Sequence, residues 1–339
     1  MTFVNAIRPL VVVPLICIPL LAAARPAAAR TDGAELIYPT TGKVSAQNPT
    51  LSPDGQTLVF TRYTNGYDGS AGGLWKMPAD GGTATAVINK YGATNVNGLA
   101  TWNAAVNLIT FADINQDGDV WVIAPDGTGL RKVTDEQSAP EHAYQEPTFA
   151  PDGQTIVLED DLDNGQSSDG YVGAIDVVPT AGGPVRRLVT DGDNRLPVWS
   201  PDGTRILFQR RTDVKNDGVY YLFTINADGS GLTQITGVGS SVDNCDSDAS
   251  WSADGKWILD SACYGEQTPC PGDSSVTESN IFLVSADGST VIRATNNPGE
   301  EDGAPTMSPD GQWIYFESHR AACDDDSPAQ IWRIPSPVH

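Results

Sequence analysis

Short apolar stretches recur along the chain, and a polar turn rich in Pro, Asp and Gly interrupts each of them. One phrase occurs five times in clear form, as PTLSPDGQTLVF from Pro49, PTFAPDGQTIVL from Pro147, PVWSPDGTRILF from Pro197, ASWSADGKWILD from Ala249 and PTMSPDGQWIYF from Pro305. A degenerate sixth copy, ATWNAAVNLITF, begins at Ala100. Because Pro presets φ for the turn and Gly accepts the positive φ that ends it, each copy predicts a β-hairpin.

The spacing of these copies predicts the architecture. The turn position recurs about every fifty residues, at 54, 105, 152, 202, 254 and 310. A second hairpin follows most copies, as in LWKMPADGG from Leu74 and LFTINADGSG from Leu222, which gives four strands per period. Such a period is typical of propeller blades, so we predict an all-β, six-bladed β-propeller. Trp102, Trp199 and Trp251 occupy one repeat position, which predicts packing between blades.

The two ends of the repeat region predict how the ring closes. Only 29 residues follow Asp310, enough for three strands, and 21 residues separate Gly33 from Asp54. Together they make one period. We therefore expect residues 35–41 to form the outer strand of the last blade beside residues 330–335, which would hide an exposed edge.

The S-P-D-G-x-x-[IL]-x-[FL] phrase followed by an A-D-G-[GS] hairpin resembles the TolB-like family of WD-type propeller repeats. The resemblance covers residues 33–337 and implies the fold rather than an activity. Related propellers occur in prolyl-oligopeptidase-like enzymes, which carry a Gly-x-Ser-x-Gly motif that this sequence lacks. They also occur in oligogalacturonate lyases, which hold a metal with several histidines, whereas this chain has only His142, His319 and His339.

The first residues have the layout of a secretory leader. Arg8 precedes an apolar stretch that ends in the small residues Ala27, Ala28 and Ala29. Prolines interrupt this stretch, which is shorter than the ~20 residues that a membrane span needs. We expect a signal peptide over residues 1–29 and a single propeller domain over residues 30–339, without membrane insertion once the leader is removed. The expected location is the periplasm or the extracellular space.

The formal net charge is −23, with 43 acidic residues against 20 basic ones. A surface this acidic repels nucleic acid and anionic membranes, so neither is an expected partner.

The cysteines suggest disulfides, because removal of the leader with Cys17 leaves an even number in an exported chain. Cys245 and Cys263 flank the turn of the fifth repeat at equal distances, so we predict that they pair across adjacent strands. Cys270 and Cys323 would then join the fifth and sixth blades. The rival pairing joins Cys263 to Cys270 in a small loop.

The segment DINQDGD matches the opening of a calcium-binding loop, with candidate ligands Asp113, Asn115, Asp117 and Asp119. Ala124 stands where the loop would need its bidentate acid, so the sequence favours a structural turn. Calcium is the one cofactor that the sequence suggests.

The second candidate site is the mouth of the central channel. Loops entering the innermost strands should bring together six residues there, namely Asn48, Glu146, Arg195, Asp246, Asp248 and Asp302. Such a cluster could bind a cation, an amine or a basic peptide, and Arg195 could orient a carboxylate. No phosphate loop, zinc spacing or serine triad can be assembled. The sequence thus favours a non-catalytic module that binds a protein or peptide; the alternative is a secreted lyase or hydrolase that acts on an acidic glycan or peptide with a metal at the mouth.

Overall fold

The computed structural model describes residues 32–66, 72–88, 96–113, 118–135, 142–163, 171–189, 191–211, 220–237, 247–262, 279–296, 301–319 and 328–338. These residues form twenty-four β-strands in six four-stranded antiparallel sheets, and the described part of the chain contains no helix. The prediction of an all-β propeller with six blades is confirmed.

Each blade is a meander whose first strand lies innermost. Blade one contains β2 to β5, at Ser45–Leu51, Thr57–Tyr63, Gly73–Pro78 and Thr85–Ile88. Blade two contains β6 to β9, at Val96–Asn103, Leu108–Asp113, Asp119–Ile123 and Arg131–Lys132. Blade three contains β10 to β13, at His142–Phe149, Thr155–Asp163, Tyr171–Pro179 and Arg186–Val189.

The other three blades repeat this order. Blade four contains β14 to β17, at Asp193–Trp199, Arg205–Arg211, Tyr221–Asn226 and Thr233–Gln234. Blade five contains β18 to β21, at Ser247–Trp251, Trp257–Ala262, Asn280–Ser285 and Val291–Arg293. Blade six contains β22 to β24, at Asp302–Met307, Trp313–Ser318 and Gln330–Pro335, and its fourth strand is β1, Glu35–Tyr38.

The strand β1 closes the ring as the sequence predicts. It runs antiparallel to β24, with Glu35 opposite Arg333 and Leu36 opposite Trp332. The Arg333 guanidinium donates from Nε to Glu35 Oε2 at 3.0 Å and stacks 4.1 Å from the centre of the Trp313 ring. The first and last strands of the described chain are therefore held together by main-chain pairing and by side chains.

The repeated phrase forms its turn through the Asp side chain. In blade one, Asp54 Oδ1 accepts hydrogen bonds from Ser52 Oγ at 2.6 Å and from the Gln56 amide at 3.0 Å, while Gly55 has φ +70°. The degenerate copy in blade two uses another residue for the same purpose, because Asn103 Oδ1 accepts the amides of Ala105 and Val106. This explains why the sixth copy can lose its Pro-Asp-Gly and still form a hairpin.

The core consists of six clusters, each lying between two adjacent blades. Val59 and Leu74 of blade one, for example, pack against Ile109 and Phe111 of blade two. The predicted role of the three tryptophans in packing between blades is confirmed, since each contributes to one of these clusters. No blade buries its apolar faces alone, so the ring is stabilised as a unit.

Candidate functional site

The innermost strand of every blade contains an irregularity at the same place, where its register against the second strand shifts. In four blades the residue there has positive φ although it is not glycine: Asn48 (52°), Glu146 (46°), Leu196 (52°) and Ala304 (45°). In blade two Gly98 takes this conformation, with φ +65°. A left-handed conformation costs an ordinary residue ~1 to 2 kcal/mol. The ring of β-bulges is thus a feature that the rest of the structure must hold in place.

These bulges line a cavity of about 220 Å³ at the centre of the propeller. Around the ring, the cavity-lining residues at the bulges alternate in character, with Leu99 representing blade two beside Gly98. Blades one, three and five contribute polar side chains and blades two, four and six contribute apolar ones, in the order Asn48, Leu99, Glu146, Leu196, Asp248 and Ala304. The described residues that line the cavity include two carboxylates and no Lys, Arg or His.

Carboxylates hold the bulges by accepting their backbone N–H groups across blade boundaries. Leu99 N donates to Glu146 Oε2 at 3.0 Å, and Ala304 N donates to the Asp248 carboxylate. The other two such acceptors lie on second strands. They are Glu159, which accepts Leu196 N at 2.9 Å, and Glu317, which accepts Asn48 N at 2.5 Å.

Hydroxyl groups add a second set of links between neighbouring inner strands. Thr148 Oγ1 donates to the carbonyl of Pro197 at 2.9 Å, and Ser250 Oγ donates to that of Pro305 at 2.6 Å. Because these hydroxyl and carboxylate links cross several of the blade boundaries, they hold the walls of the cavity in place before any ligand arrives.

Burial dominates the electrostatics of the channel. It raises the pKa of Asp248 above its ordinary value. Hydrogen bonds to the Ala304 amide and to Ser247 favour the ionised form and partly oppose this rise. Burial, followed by the charge of Asp161, also raises the pKa of Glu159 well above its ordinary value. Two acids of the channel region therefore carry their negative charge at a cost.

Of the six residues that the sequence placed at the channel mouth, Asn48, Glu146 and Asp248 line the cavity. Asp302 is fully buried beside it, with its backbone carbonyl accepting Ser261 Oγ at 2.7 Å and Ser279 Oγ at 3.2 Å. Asp246 lies outside the described residues.

Arg195 belongs to a neighbouring cluster of blade four rather than to the cavity lining. Its Nε donates to Asp193 Oδ1 at 3.1 Å, and its guanidinium lies 5.8 Å from the centre of the Tyr220 ring. Asp193 also accepts hydrogen bonds from Tyr220, from the Gly173 amide and from Arg211. Arg195 is therefore held by Asp193 and Tyr220 of its own blade, and its charge also interacts with Glu159 of blade three.

The candidate calcium loop is described only at its two ends. Asp113 and Asp119 face each other across β7 and β8, and both side chains are buried. Asp119 pairs with the Lys132 ammonium through Oδ2 and accepts Thr134 Oγ1 through Oδ1 at 3.0 Å. Asn115 and Asp117 lie outside the described residues, so the calcium interpretation stays a prediction. The cysteines of the predicted disulfides also lie outside the described residues, namely Cys245, Cys263, Cys270 and Cys323. The disulfide interpretation therefore stays a prediction as well. Within the described ranges no group of three His, Cys, Asp or Glu side chains could hold a metal.

The structure pairs His142 with a partner that the sequence does not indicate. His142 Nδ1 lies 2.6 Å from Oδ2 of the buried Asp160, and Arg187 bonds both that oxygen and Asp176. Burial raises the pKa of Asp160 to about 6. Asp160 is completely buried although it lies between Glu159 and Asp161 in an acidic stretch of β11, where the sequence pattern gives no sign that one acid points into the core.

The acids on second strands were also missed by the sequence analysis. Glu159 and Glu317 end the apolar runs TIVL and WIYF at the same repeat position. Both are 4% exposed. An acid that recurs directly after an apolar run, in blades three and six, could have predicted a buried carboxylate with a hydrogen-bond donor nearby.

No family model matches the chain. Among curated proteins, a TolB homologue of Chlorobium luteolum is 29% identical over 127 residues, which are 38% of this chain and 26% of that protein. The uncharacterized peptidase YuxL of Bacillus subtilis is 27% identical over 235 residues, 61% of this chain and 32% of that protein. The chain thus spans about a quarter to a third of the length of these two relatives.

Solved structures share the propeller over most of its length. A putative TolB from Agrobacterium tumefaciens has a TM-score of 0.60 at 19% identity, covering 90% of this chain and 98% of that chain. A gluconolactonase of Xanthomonas campestris has a TM-score of 0.61 at 15% identity, with 91% and 92% covered. An oligogalacturonate lyase of Vibrio parahaemolyticus has a TM-score of 0.57 at 11% identity, with 90% and 97% covered.

These structural likenesses show the fold alone. The described residues contain no helix that is both long and apolar enough to span a membrane. Because its strands form six four-stranded blades and TolB homologues occur among both the curated relatives and the solved structures, the chain is a TolB-like six-bladed β-propeller.

Proposed function

We propose that this chain is an exported, non-catalytic binding module of the cell envelope or the extracellular space, and that it receives a protein or peptide ligand at its central channel. The observation that carries the proposal is the preformed cavity of about 220 Å³, to which the bulges of all six blades contribute. Fixed concave sites with apolar walls and a few polar groups are the usual form of a binding site.

The cross-blade hydrogen bonds support a binding role. They hold Glu146 and Asp248 against backbone amides of neighbouring blades, so the polar groups of the cavity are oriented in advance. A ligand that enters such a site loses little affinity to rearrangement of the protein. The TolB homologues among the relatives support a location in the periplasm.

The experiment is a peptide selection on the full chain with a matched pair of variants. Leu99→Trp fills the cavity, whereas Leu130→Trp adds the same side chain at a 42% exposed position on the rim of the same blade. We expect the selected peptides, and the envelope proteins captured by the wild type, to bind Leu130→Trp normally. The same ligands should bind Leu99→Trp at least tenfold more weakly, which is a loss of about 1.4 kcal/mol in binding free energy. Ligands that bind both variants equally well would contradict a binding site in the channel.

A secreted enzyme acting on an acidic glycan or peptide is the second candidate. It is favoured by the His142–Asp160 pair, in which a carboxylate lies at hydrogen-bonding distance from an imidazole near the end of an inner strand. The test is turnover of oligogalacturonides and of acidic peptides by the wild type and by His142→Gln. Turnover that is lost in His142→Gln would favour the enzyme over the binding module.

A further inference from the structure

Resting on the proposed function, we propose that the channel cavity is a recognition pocket for one lysine side chain of the partner, with the partner's ammonium group at Asp248 and its methylene stem along the apolar walls. The proposal is based on the alternation of polar and apolar residues around a single cavity, in which two of the three polar residues are the acids Glu146 and Asp248.

The walls match the two halves of a lysine side chain. Leu99, Leu196 and Val198 provide apolar surface, while Glu146 and Asp248 provide carboxylates in the same cavity. Lysine combines an apolar four-carbon stem with a compact charge, so it can satisfy both kinds of wall at once. A peptide N-terminus carries the charge without the stem and would leave the apolar walls uncovered.

The charge at Asp248 calls for a cation from outside. The groups that favour its charged form are neutral ones, namely the Ala304 amide, Ser247 and its own backbone. The described residues that line the cavity include no Lys, Arg or His that could neutralise it. A partly buried carboxylate whose hydrogen-bond partners are neutral is costly to keep charged, and an ammonium ligand removes much of that cost.

The size of the cavity restricts the ligand to one side chain. Its volume of about 220 Å³ is smaller than the ~300 to 1,000 Å³ of pockets that enclose drug-sized molecules. The rest of the partner must therefore lie outside the cavity, against the mouth, and the lysine acts as an anchor that enters the channel.

The test uses the full chain and three peptides with blocked ends: acetyl-Gly-Gly-Lys-Gly-Gly-amide, the same peptide with Nε-acetyl-lysine, and the same peptide with norleucine. Affinities are measured by NMR titration at about 0.15 M salt, where the Debye length of ~8 Å limits general attraction to the acidic surface. We expect the lysine peptide to bind at least tenfold more tightly than either neutral peptide.

Two variants locate the charge that is recognised. Asp248→Asn keeps an oxygen acceptor for the Ala304 amide but removes the negative charge, and we expect it to weaken the lysine peptide about tenfold and to leave the neutral peptides unchanged. Asp126→Asn removes the same charge at an exposed turn of blade two, where the side-chain oxygen still accepts Thr128 N. We expect it to bind as the wild type does. The near-ultraviolet circular dichroism of each variant shows that it is folded.

Three outcomes would overturn the inference: equal affinity for the lysine and acetyl-lysine peptides, unchanged affinity in Asp248→Asn, or an equal loss in Asp126→Asn. Each of these leaves the proposed function standing as long as Leu99→Trp still weakens binding of the selected ligands at least tenfold. If Leu99→Trp has no effect on any ligand, the proposed function fails instead.

Discussion

The carboxylate of Glu317 in blade six accepts the backbone N–H of Asn48 in blade one at 2.5 Å. This bond crosses the seam at which the ring closes, and it holds a bulge that lines the channel. Glu159 does the same for Leu196 between blades three and four. The seam is therefore joined twice, at the axis by this carboxylate and at the rim by β1.

Replacement of Glu159 tests whether these carboxylates stabilise the ring. Glu159→Ala leaves the Leu196 amide buried without its acceptor, and we expect it to lower the free energy of unfolding by about 1 to 3 kcal/mol. Glu159→Gln keeps an acceptor and removes a charge that burial disfavours, so we expect a smaller loss or a gain at neutral pH. Urea unfolding measures both, and a larger cost for Gln than for Ala would contradict this role.

The contact between Gly98 and Glu146 gives a second prediction. A Cβ on Gly98 would stand 2.0 Å from Glu146 Oε1, so Gly98→Ala must displace a carboxylate from the cavity. Gly129→Ala is the control, because Gly129 has a similar φ of +69° and nothing within 4 Å. We expect Gly98→Ala to cost at least about 1 kcal/mol more than the control, measured by thermal unfolding. Equal costs would show that only the backbone conformation matters.

The contribution of β1 to ring closure can be tested by comparing it with β24, the strand that it covers. Trp332 in β24 is completely buried, so we expect Trp332→Ala to cost about 3 to 5 kcal/mol of unfolding free energy. Leu36, opposite it in β1, is 39% exposed, and Leu36→Ala should change stability by about 0.5 kcal/mol or less. Similar losses in the two variants would mean that the outer strand, rather than the core beneath it, dominates the seam.

The titration of Asp160 predicts how stability changes with pH. Burial raises its pKa in the folded protein to about 6, with His142 and Arg187 opposing the shift and Asp176 adding to it. A group with a higher pKa in the folded state favours folding more as it becomes protonated, so this carboxyl adds stability as the pH falls from about 7.5 to about 5. Asp160→Asn should lack that gain. Parallel pH dependences of the unfolding free energy in wild type and variant would refute this assignment.

The last prediction is that the segment from Asp113 to Asp119 is a structural turn and does not bind calcium. Because Asp119 already bonds Lys132 and Thr134, a calcium ion in this loop would have to displace an ammonium group. We expect calorimetry on chelator-treated protein to show no binding at millimolar calcium. Binding that disappears in Asp117→Ala would establish the site that the sequence suggests.

The architecture was predictable because it depends on a repeated local signal. The Asp54 turn forms within six residues, from Ser52 to Thr57, so its recurrence predicts hairpins without knowledge of distant contacts. The pairing of β1 with β24 followed from counting strands in a closed ring. Both inferences use information contained in short segments or in spacing.

The cavity lining was only partly predictable, because it depends on backbone conformation across blades. The sequence placed Asn48, Glu146 and Asp248 at the channel by their position in the repeat. The same reasoning placed Arg195 there, yet its guanidinium turns to Asp193 and Tyr220. Rotamer choice among nearby charged partners is a tertiary effect that a repeat position does not encode.

The pairing of Glu35 with Arg333 joins residues 298 positions apart in the chain. Of the described strands, a ribosome makes β1 first and β24 last, so β1 must wait without its partner until the strands between them have been synthesised. Until then its edge and the apolar face of the last blade are available to chaperones and to other chains. The seam that makes the finished ring durable is thus the step at which its assembly is most exposed to failure.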